Sequence, residues 1–216
     1  MQFKEWLLEN DLANSSNPDW KTDAFNVAKN VSNLYKQPMP TEYIAHGVDA
    51  VVFKTTNPQI VARVTSHKND GLECIKVIKN PQMQKTGGVN KILGSYQDPK
   101  TNQEVTYKEF VNTNWQPLLK NITIDASPLK NIDANYIVDD KIPDKFPFTE
   151  LFSGKKYTEI IETNLGRNKL IEFLRSLNIP QLNNLIKAIQ IGLPVTDLHD
   201  ENIALDKNNN LIAIDC

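Results

Sequence analysis

The chain has 216 residues, of which 40% are hydrophobic and 23% are charged, and its formal net charge is −2. This length and composition indicate a globular protein with its own core, in one domain or two small ones. The small net charge, with Lys and Arg scattered, gives no reason to expect nucleic-acid binding, since proteins that bind the phosphate backbone usually carry a basic face. Two cysteines and three separated histidines, His46, His67 and His199, favour neither a disulfide framework nor a metal site.

The amino-terminal sequence MQFKEWLLEND has acidic residues where a secretory signal peptide needs an apolar run. No stretch of the sequence approaches the length of a membrane span. We therefore expect a cytoplasmic protein that does not bind membranes.

Apolar residues recur at helical spacing over 3–12 and again up to residue 35, after which Pro38 and Pro40 interrupt the pattern. The polar segment 14–18 separates the two predicted helices. The apolar face predicted for the second helix consists of Ala24, Val27, Ala28, Val31, Leu34 and Tyr35. Residues 1–40 are therefore predicted to form a helical extension before the main fold.

The pattern changes after residue 40, where β-branched residues dominate and Asn57-Pro58 marks a turn. We predict a strand before Gly47, strands over 50–55 and 59–65, and a short helix in GLECIKVIK. Further strands are predicted over 89–96 and 104–111, around the turn DPKTNQ. This order, β-β-β-α-β-β, indicates an α+β fold with a small five-stranded antiparallel sheet.

The sequence after Val111 is richer in proline and loops, and it returns to helical periodicity over 156–163 and 168–177. The clearest helix is predicted to begin at Pro180 or Gln181 and to end at Gly192. Two short strands are predicted over 202–205 and 211–214, flanking the turn DKNNN.

The segment TDLHDENIALDKNNNLIAIDC carries the most specific motif of the chain. Asp197 is followed five residues later by Asn202, and Asp215 lies at the end of the next predicted hairpin. In phosphoryl transfer, one such aspartate accepts the proton of the acceptor hydroxyl, while an asparagine and a second aspartate bind Mg²⁺ on the nucleotide phosphates. A polar turn between a helix and a hairpin is the alternative interpretation.

This arrangement resembles the catalytic and metal-binding motifs of the protein-kinase-like superfamily, in particular small bacterial and bacteriophage members and aminoglycoside phosphotransferases. The resemblance implies a two-lobed fold, with a sheet lobe over 41–111 and a reduced, mostly helical lobe over 112–216. It also implies ATP and Mg²⁺, with Mn²⁺ as a substitute, as cofactors. Asp197 would be the catalytic base, Asn202 and Asp215 the metal ligands, and His199 a residue close to the transferred phosphate or a structural hydrogen-bond partner.

The resemblance extends to the predicted sheet lobe, where AHGVDAVVFK fits the phosphate-covering loop with Gly47, Ala50 and Val52. On the next strand, Val61 would cover adenine and Arg63 would contact the phosphates. Further expected contacts to the nucleotide are Glu73, which would pair with Arg63, and the linker from Glu109 to Val111. Ordinary turn, strand and helix residues would give similar local patterns.

Three features depart from the family. Arg63 replaces the usual lysine, and this exchange is not conservative at a phosphate site. Thr196 replaces the arginine that kinases switched by activation-loop phosphorylation use. The sequence ends one residue after Asp215, so it is expected to be either a minimal kinase or a fragment, and a bacteriophage source acting on host proteins in the host cytoplasm is one possibility.

Three functions are compatible with these features. The first is an ATP- and Mg²⁺-dependent kinase that acts on Ser, Thr or Tyr of a protein. The second is a pseudokinase that binds a host or partner protein, and the third is a small-molecule phosphotransferase of the aminoglycoside or sugar type. The sequence predicts neither the identity of the substrate nor the oligomeric state.

Overall fold

The structure, a computed structural model, describes residues 20–46, 50–65, 72–130, 142–153, 157–196 and 198–214. The chain divides into two compact units. One, which we call the sheet unit, consists of Met1–Glu73 and Lys91–Phe110. The other, which we call the helical unit, consists of Cys74–Asn90 and Val111–Cys216.

The described part of the sheet unit begins with helix α1, Trp20–Tyr35. Its buried residues follow the i, i+3, i+4, i+7 spacing of an amphipathic helix and are Ala24, Val27, Ala28, Val31 and Ser32. The helix predicted over this region is thus confirmed, whereas the one predicted over 3–12 lies outside the described residues.

The predicted apolar face of α1 is wrong at its end, since Leu34 is 58% exposed and Tyr35 is 39% exposed. The last turn lies at the edge of the sheet rather than over its middle. There, the Tyr35 ring stacks on that of Tyr96 at a centroid distance of 4.7 Å, so one face of each ring is covered without full burial.

A five-stranded antiparallel sheet follows α1, as predicted from the β-branched pattern. Its strands are β1 (Pro40–His46), β2 (Ala50–Thr55), β3 (Ile60–Thr65), β4 (Ile92–Gln97) and β5 (Glu104–Glu109). They lie in the order β1-β2-β3-β5-β4, so β5 occupies an interior position and β1 and β4 are the two edges. The α+β class is confirmed, but the chain order is β-β-β-α-α-β-β, because a second short helix, Pro81–Thr86, follows the predicted one.

Two hairpins of the sheet form at the predicted turns, and the turn predicted at Gly47 lies outside the described residues. At Asn57-Pro58, the Ile60 amide donates to the Asn57 carbonyl at 3.0 Å. In the turn between β4 and β5, the Asp98 carboxylate accepts from both the backbone amide and the hydroxyl of Thr101. Both edge strands contain shifts of register, two in β1 and one in β4 at Ile92/Gly94.

Helix α1 covers one face of the sheet and forms the core of this unit. Strand residues that alternate along β2, β3 and β5 pack against it, and they are Val51, Phe53, Ala62, Val64, Val105 and Tyr107. The Ser32 and Tyr107 hydroxyls share a buried hydrogen bond of 2.8 Å. The described part of the predicted 1–40 extension is therefore integrated with the sheet.

The helical unit contains short helices, two small hairpins and three longer helices. The helix α2, Leu72–Lys79, spans the point where the chain passes from the first unit to the second, and α3, Pro81–Thr86, follows it. The next elements are α4 (Gln116–Leu119), β6 (Thr123–Asp125), α5 (Ser127–Lys130) and β7 (Lys145–Pro147). The remaining elements are α6 (Tyr157–Leu165), α7 (Arg167–Ser176), α8 (Asn183–Gln190), β8 (Ile203–Leu205) and β9 (Leu211–Ala213).

Helices α6, α7 and α8 and the β8–β9 hairpin were predicted, whereas the short helices α3, α4 and α5 and the two-stranded sheet of β6 and β7 were not. Helix α8 buries the predicted apolar residues Leu185, Ile186 and Ile189, and a 3₁₀ turn over Pro180–Leu182 precedes it. The segment before β4 contributes to this unit, because the Asn90 amide donates to the Ala213 carbonyl at 2.7 Å. Among the described residues, no helix is long and apolar enough to cross a membrane.

Candidate functional site

The motif that starts at Asp197 lies in the loop between α8 and β8 of the helical unit. Gly192, with a φ of +114°, ends the helical segment in a conformation that favours glycine. Leu193, Val195 and Leu198 are each no more than 1% exposed. Burial of these apolar side chains fixes the backbone of the loop on either side of Asp197, which itself lies outside the described residues.

A buried tryptophan also holds this loop. The indole Nε1 of Trp115 donates to the backbone carbonyl of Asp200 at 3.2 Å. The Trp115 side chain is 1% exposed, and its ring makes edge contacts with those of Phe148 and Phe152. The position of the Asp200 backbone is therefore tied to the aromatic core of the helical unit.

The β8–β9 hairpin places Asn202 opposite Ile214, the residue that precedes Asp215 in the sequence. Ile203 pairs with Ala213 in the hairpin, and the Ile214 amide donates to the Asn202 carbonyl at 2.8 Å. The Asn202 amide in turn donates to the His199 carbonyl at 2.9 Å. Asn202 thus lies directly across from the residue before Asp215, and Asp215 lies outside the described residues.

The side chains of His199 and Asn202 are hydrogen-bonded to each other. The Asn202 Nδ2 group lies 3.0 Å from the His199 Nε2 atom. Because an amide nitrogen can only donate, His199 Nε2 is the acceptor in this contact. In this orientation, the Asn202 Oδ1 atom, which is the atom that would bind a metal, points away from the imidazole.

His199, Asp200 and Glu201 place one potential metal-binding atom each within 4.8 Å of one another. His199 Nδ1 lies 3.5 Å from a carboxylate oxygen of Glu201. Burial, together with the nearby charge of Asp200, raises the pKa of Glu201 to about 6. The three separated histidines alone did not indicate a metal site, and the two acidic residues that follow His199 supply the further potential ligands.

In the sheet unit, four of the predicted nucleotide-binding residues share one face of the sheet, opposite α1. Ala50 and Val52 on β2 alternate with core residues, as do Val61 and Arg63 on β3. Val52 pairs directly with Arg63, and Ala50 pairs with Thr65. Arg63 is 5% exposed, which excludes the alternative interpretation that it is an ordinary surface arginine on a strand.

Strand β5 contributes polar and charged side chains to this same face. Thr106 pairs with Arg63, and Lys108 pairs with Val61. The carboxylate of Glu104 accepts hydrogen bonds from the hydroxyls of Thr106 and Ser95. Thr106 and Lys108 are buried, at 0% and 4% exposure respectively.

Several predicted site residues remain predictions. Asp197, Asp215 and Gly47 lie outside the described residues. Glu73 lies in α2, and its side chain, with the predicted pairing to Arg63, lies outside the described part of the structure.

In the predicted linker, two backbone amides already donate within the sheet unit. The Glu109 amide donates to the Lys91 carbonyl at 3.0 Å and the Phe110 amide to the Gln59 carbonyl at 2.8 Å. These two groups are therefore not available as hydrogen-bond donors to an adenine ring.

Sequence reasoning missed the buried Lys108 and the anchoring role of Trp115. Lysine is rarely buried, so residue type alone does not indicate the burial of Lys108. Its place two residues after Thr106, in a strand whose alternate residues are apolar, was the available signal. Trp115 carried no local signal, because its partner Asp200 is 85 residues away.

No protein-family model matches this chain, and no curated protein matches it.

Proposed function

We propose that this chain is an ATP- and Mg²⁺-dependent phosphotransferase of the protein-kinase-like type, which transfers a phosphoryl group to a hydroxyl group of a protein. The observation that carries the proposal is the arrangement of Asn202. Its backbone is hydrogen-bonded to Ile214, next to Asp215, and its amide is oriented by His199. An amide oxygen and a carboxylate are ligands that Mg²⁺ accepts, and it needs few ligands from the protein.

The sheet unit gives independent support. The residues that the resemblance assigns to the nucleotide, Ala50, Val52, Val61 and Arg63, belong to one face of a five-stranded antiparallel sheet. The apolar members of this set would pack against adenine, and Arg63 would contact the phosphates.

Each remaining residue has a role in this proposal. Asp197 accepts the proton of the acceptor hydroxyl, and Gly47 lies over the phosphates. Because the amides of Glu109 and Phe110 donate within the sheet unit, the linker's donor to adenine is the Val111 amide. A bound Mg²⁺ ion would neutralise phosphate charge as it develops during transfer.

In this proposal, His199 does not contact the transferred phosphate directly. Its Nε2 atom accepts a hydrogen bond from Asn202, so it orients the amide whose oxygen would bind the metal. Residues that orient metal ligands in this way commonly change metal affinity by about 10- to 100-fold.

A thermal-shift titration with ATP and Mg²⁺ tests the proposal. We expect the wild-type melting temperature to rise, since ligand at 100 times its dissociation constant stabilises a protein by about 2.7 kcal/mol. We expect Asn202→Ala and Asp215→Ala to abolish the rise. Asn208→Ala is the matched control, because Asn208 is an exposed residue in the turn of the same hairpin. No rise in the wild type would refute the nucleotide site.

A second candidate, a pseudokinase that binds a protein partner, is favoured by the arginine at position 63. The guanidinium group is larger than an ammonium group and planar, which changes the geometry of a phosphate contact. Transfer of labelled γ-phosphate separates the two candidates. The kinase loses transfer in Asp197→Ala, whereas a pseudokinase gives no transfer in either the wild type or this variant.

A further inference from the structure

The chain segment directly after the predicted linker is hydrogen-bonded to the motif region at two points. The backbones of Asn112 and Leu205 exchange hydrogen bonds of 3.2 and 2.8 Å, in which each amide donates to the carbonyl of the other residue. Three residues after Asn112, the Trp115 indole donates to the Asp200 carbonyl. Leu205 ends β8 and Asp200 lies in the loop before β8, so the two contacts lie on either side of Asn202 in the sequence.

The local structure explains how Trp115 comes to face the core. The Asn114 amide donates to Asn112 Oδ1 at 2.9 Å, in a turn that asparagine commonly forms with the backbone two residues on. The chain then enters α4, with Trp115 at the N-cap position. The flanking residues 112–114 and 116–118 are exposed, whereas Trp115 is buried. Over 112–118, the indole is therefore the side chain that enters the core of the helical unit.

Aromatic packing fixes the direction of the indole N–H group. The Trp115 ring meets those of Phe148 and Phe152 at centroid distances of 6.3 and 6.2 Å, with interplanar angles of 86° and 82°. Such edge contacts favour a defined ring orientation, and a buried indole N–H usually has a hydrogen-bond partner. Here the partner is the Asp200 carbonyl, so loss of the indole would leave a backbone acceptor of the loop without this donor.

Asp200 belongs to the turn that carries the proposed metal ligand. The Asn202 amide donates to the His199 carbonyl at 2.9 Å, and the side chains of the same two residues are hydrogen-bonded to each other. A displacement of the Asp200 backbone therefore shifts both His199 and Asn202. Because a metal ligand has to be held within about 0.5 Å of its productive position, a small shift of this turn weakens metal binding.

We infer that Trp115 is a positioning residue of the proposed metal site, which acts through the Asp200 carbonyl on the turn from His199 to Asn202. This inference rests on the proposed function and assigns a role to a residue that the catalytic motif does not include. Trp115 contacts neither the nucleotide nor the metal, and it fixes the backbone from which Asn202 Oδ1 would reach the ion. A core tryptophan without this role would stabilise the fold but would not change the metal affinity of the folded molecules.

The experiment compares Trp115→Phe with Leu119→Val in the full chain. Trp115→Phe keeps an aromatic ring in the core but removes the indole donor, whereas Leu119→Val shortens a buried side chain of α4 and leaves the donor in place. Calorimetry measures the affinity of each protein for ATP with Mn²⁺ and in EDTA. We expect Trp115→Phe to weaken ATP binding with Mn²⁺ about tenfold and to leave ATP binding in EDTA unchanged. Leu119→Val should change neither affinity.

Hydrogen exchange provides a second readout, which needs no nucleotide. Because the Asn202 amide donates within the turn, we expect NMR to show that it exchanges faster in Trp115→Phe than in the wild type or in Leu119→Val. Circular dichroism establishes that each variant is folded. Trp115→Met, which also lacks a donor, replaces Trp115→Phe if the latter unfolds.

The outcomes separate this inference from the proposed function. If Mn²⁺ strengthens ATP binding equally in the wild type and in Trp115→Phe, Trp115 is only a core residue and the inference is wrong, while the proposed function stands. Equal losses in Trp115→Phe and Leu119→Val, or an unchanged exchange rate of the Asn202 amide, would also overturn it. If the wild type binds ATP no better with Mn²⁺ than in EDTA, the proposed function fails and the inference fails with it.

Discussion

His46 is a histidine whose ionisation is coupled to the packing of the sheet unit. Its Nδ1 atom is hydrogen-bonded to the Tyr43 hydroxyl, and its ring packs edge-on against that of Trp20 at 4.9 Å. Burial, and secondarily the nearby charge of Lys21, lowers the pKa of His46 below its usual value of 6.5. The folded state therefore favours the neutral imidazole.

We predict that protonation of His46 reduces the stability of the protein as the pH falls. With a lower pKa in the folded state, the unfolded chain binds the proton first, so the stabilisation is complete above pH 6.5 and is lost as the pH falls through 6.5 toward the folded-state pKa. Urea unfolding between pH 8 and 5 measures this loss. His46→Gln, which does not titrate, should have the flatter profile, and parallel profiles for the two proteins would contradict the prediction.

At the residue scale, the sequence indicated which residues belong to the candidate site better than it indicated the contacts that each of them makes. Asn202 and His199 were identified from their spacing, but their mutual hydrogen bond depends on the turn from His199 to Asn202, which spacing alone does not specify. Lys108 was missed because residue type predicts exposure for lysine. Its burial follows from its place on β5, an interior strand of the sheet, where it pairs with Val61.

At the scale of elements, helix α1 is the part of the sheet unit whose packing is easiest to test. Val31 is fully buried against the sheet, whereas Leu34, one turn later in the same helix, is 58% exposed. We predict that Val31→Ala lowers the free energy of unfolding by about 2 kcal/mol, through lost burial and the cavity it leaves. Leu34→Ala should change it by less than about 0.5 kcal/mol.

Urea unfolding followed by circular dichroism measures both variants. Equal effects of Val31→Ala and Leu34→Ala would show that α1 does not form the core of the sheet unit. The comparison is matched, because both changes shorten an apolar side chain to alanine within one helix.

Elements with strong periodicity were predictable, and so was the short β8–β9 hairpin, which flanks a recognisable turn, whereas β6 and β7 were not. The apolar spacing in α1 and α8 and the β-branched runs of β2 and β3 arise from local burial, which the sequence displays directly. Strands β6 and β7 have three residues each, and their pairing depends on partners about 20 residues apart. A run of three residues is too short to show an alternating pattern.

At the scale of the whole molecule, Gly88 shows how closely the segment before β4 packs in the helical unit. A Cβ atom on Gly88 would lie 2.1 Å from the backbone oxygen of Asn184 and 2.8 Å from the Cβ atom of Ala188. The Gly88 carbonyl also accepts from the Ala213 amide at 3.0 Å. The segment is thus in backbone contact with both α8 and β9.

We predict that Gly88→Ala destabilises the protein by about 1–3 kcal/mol or more, because the added methyl group meets backbone that cannot move freely. Gln82→Ala, in the exposed part of α3, should be close to neutral. Thermal unfolding of the two variants measures the difference. A wild-type melting temperature for Gly88→Ala would contradict the contact between this segment and α8.

The sequence could not predict where the chain divides into the sheet unit and the helical unit. Residues 41–111 were predicted to form one lobe, and that boundary remains a prediction, yet Cys74–Asn90 groups with the helical unit. The grouping depends on contacts such as that of Asn90 with Ala213, over a separation that local periodicity does not report.

The register shifts of the outer strands have a consequence for how copies of this protein meet. An edge strand with unpaired amides and carbonyls is a template for the strand of another chain, and irregular pairing spoils that template. Because β1 and β4 are both interrupted in this way, neither outer strand of the five-stranded sheet is regular over its described length. Crowded copies of the folded sheet unit are thereby protected against joining into a continuous intermolecular sheet.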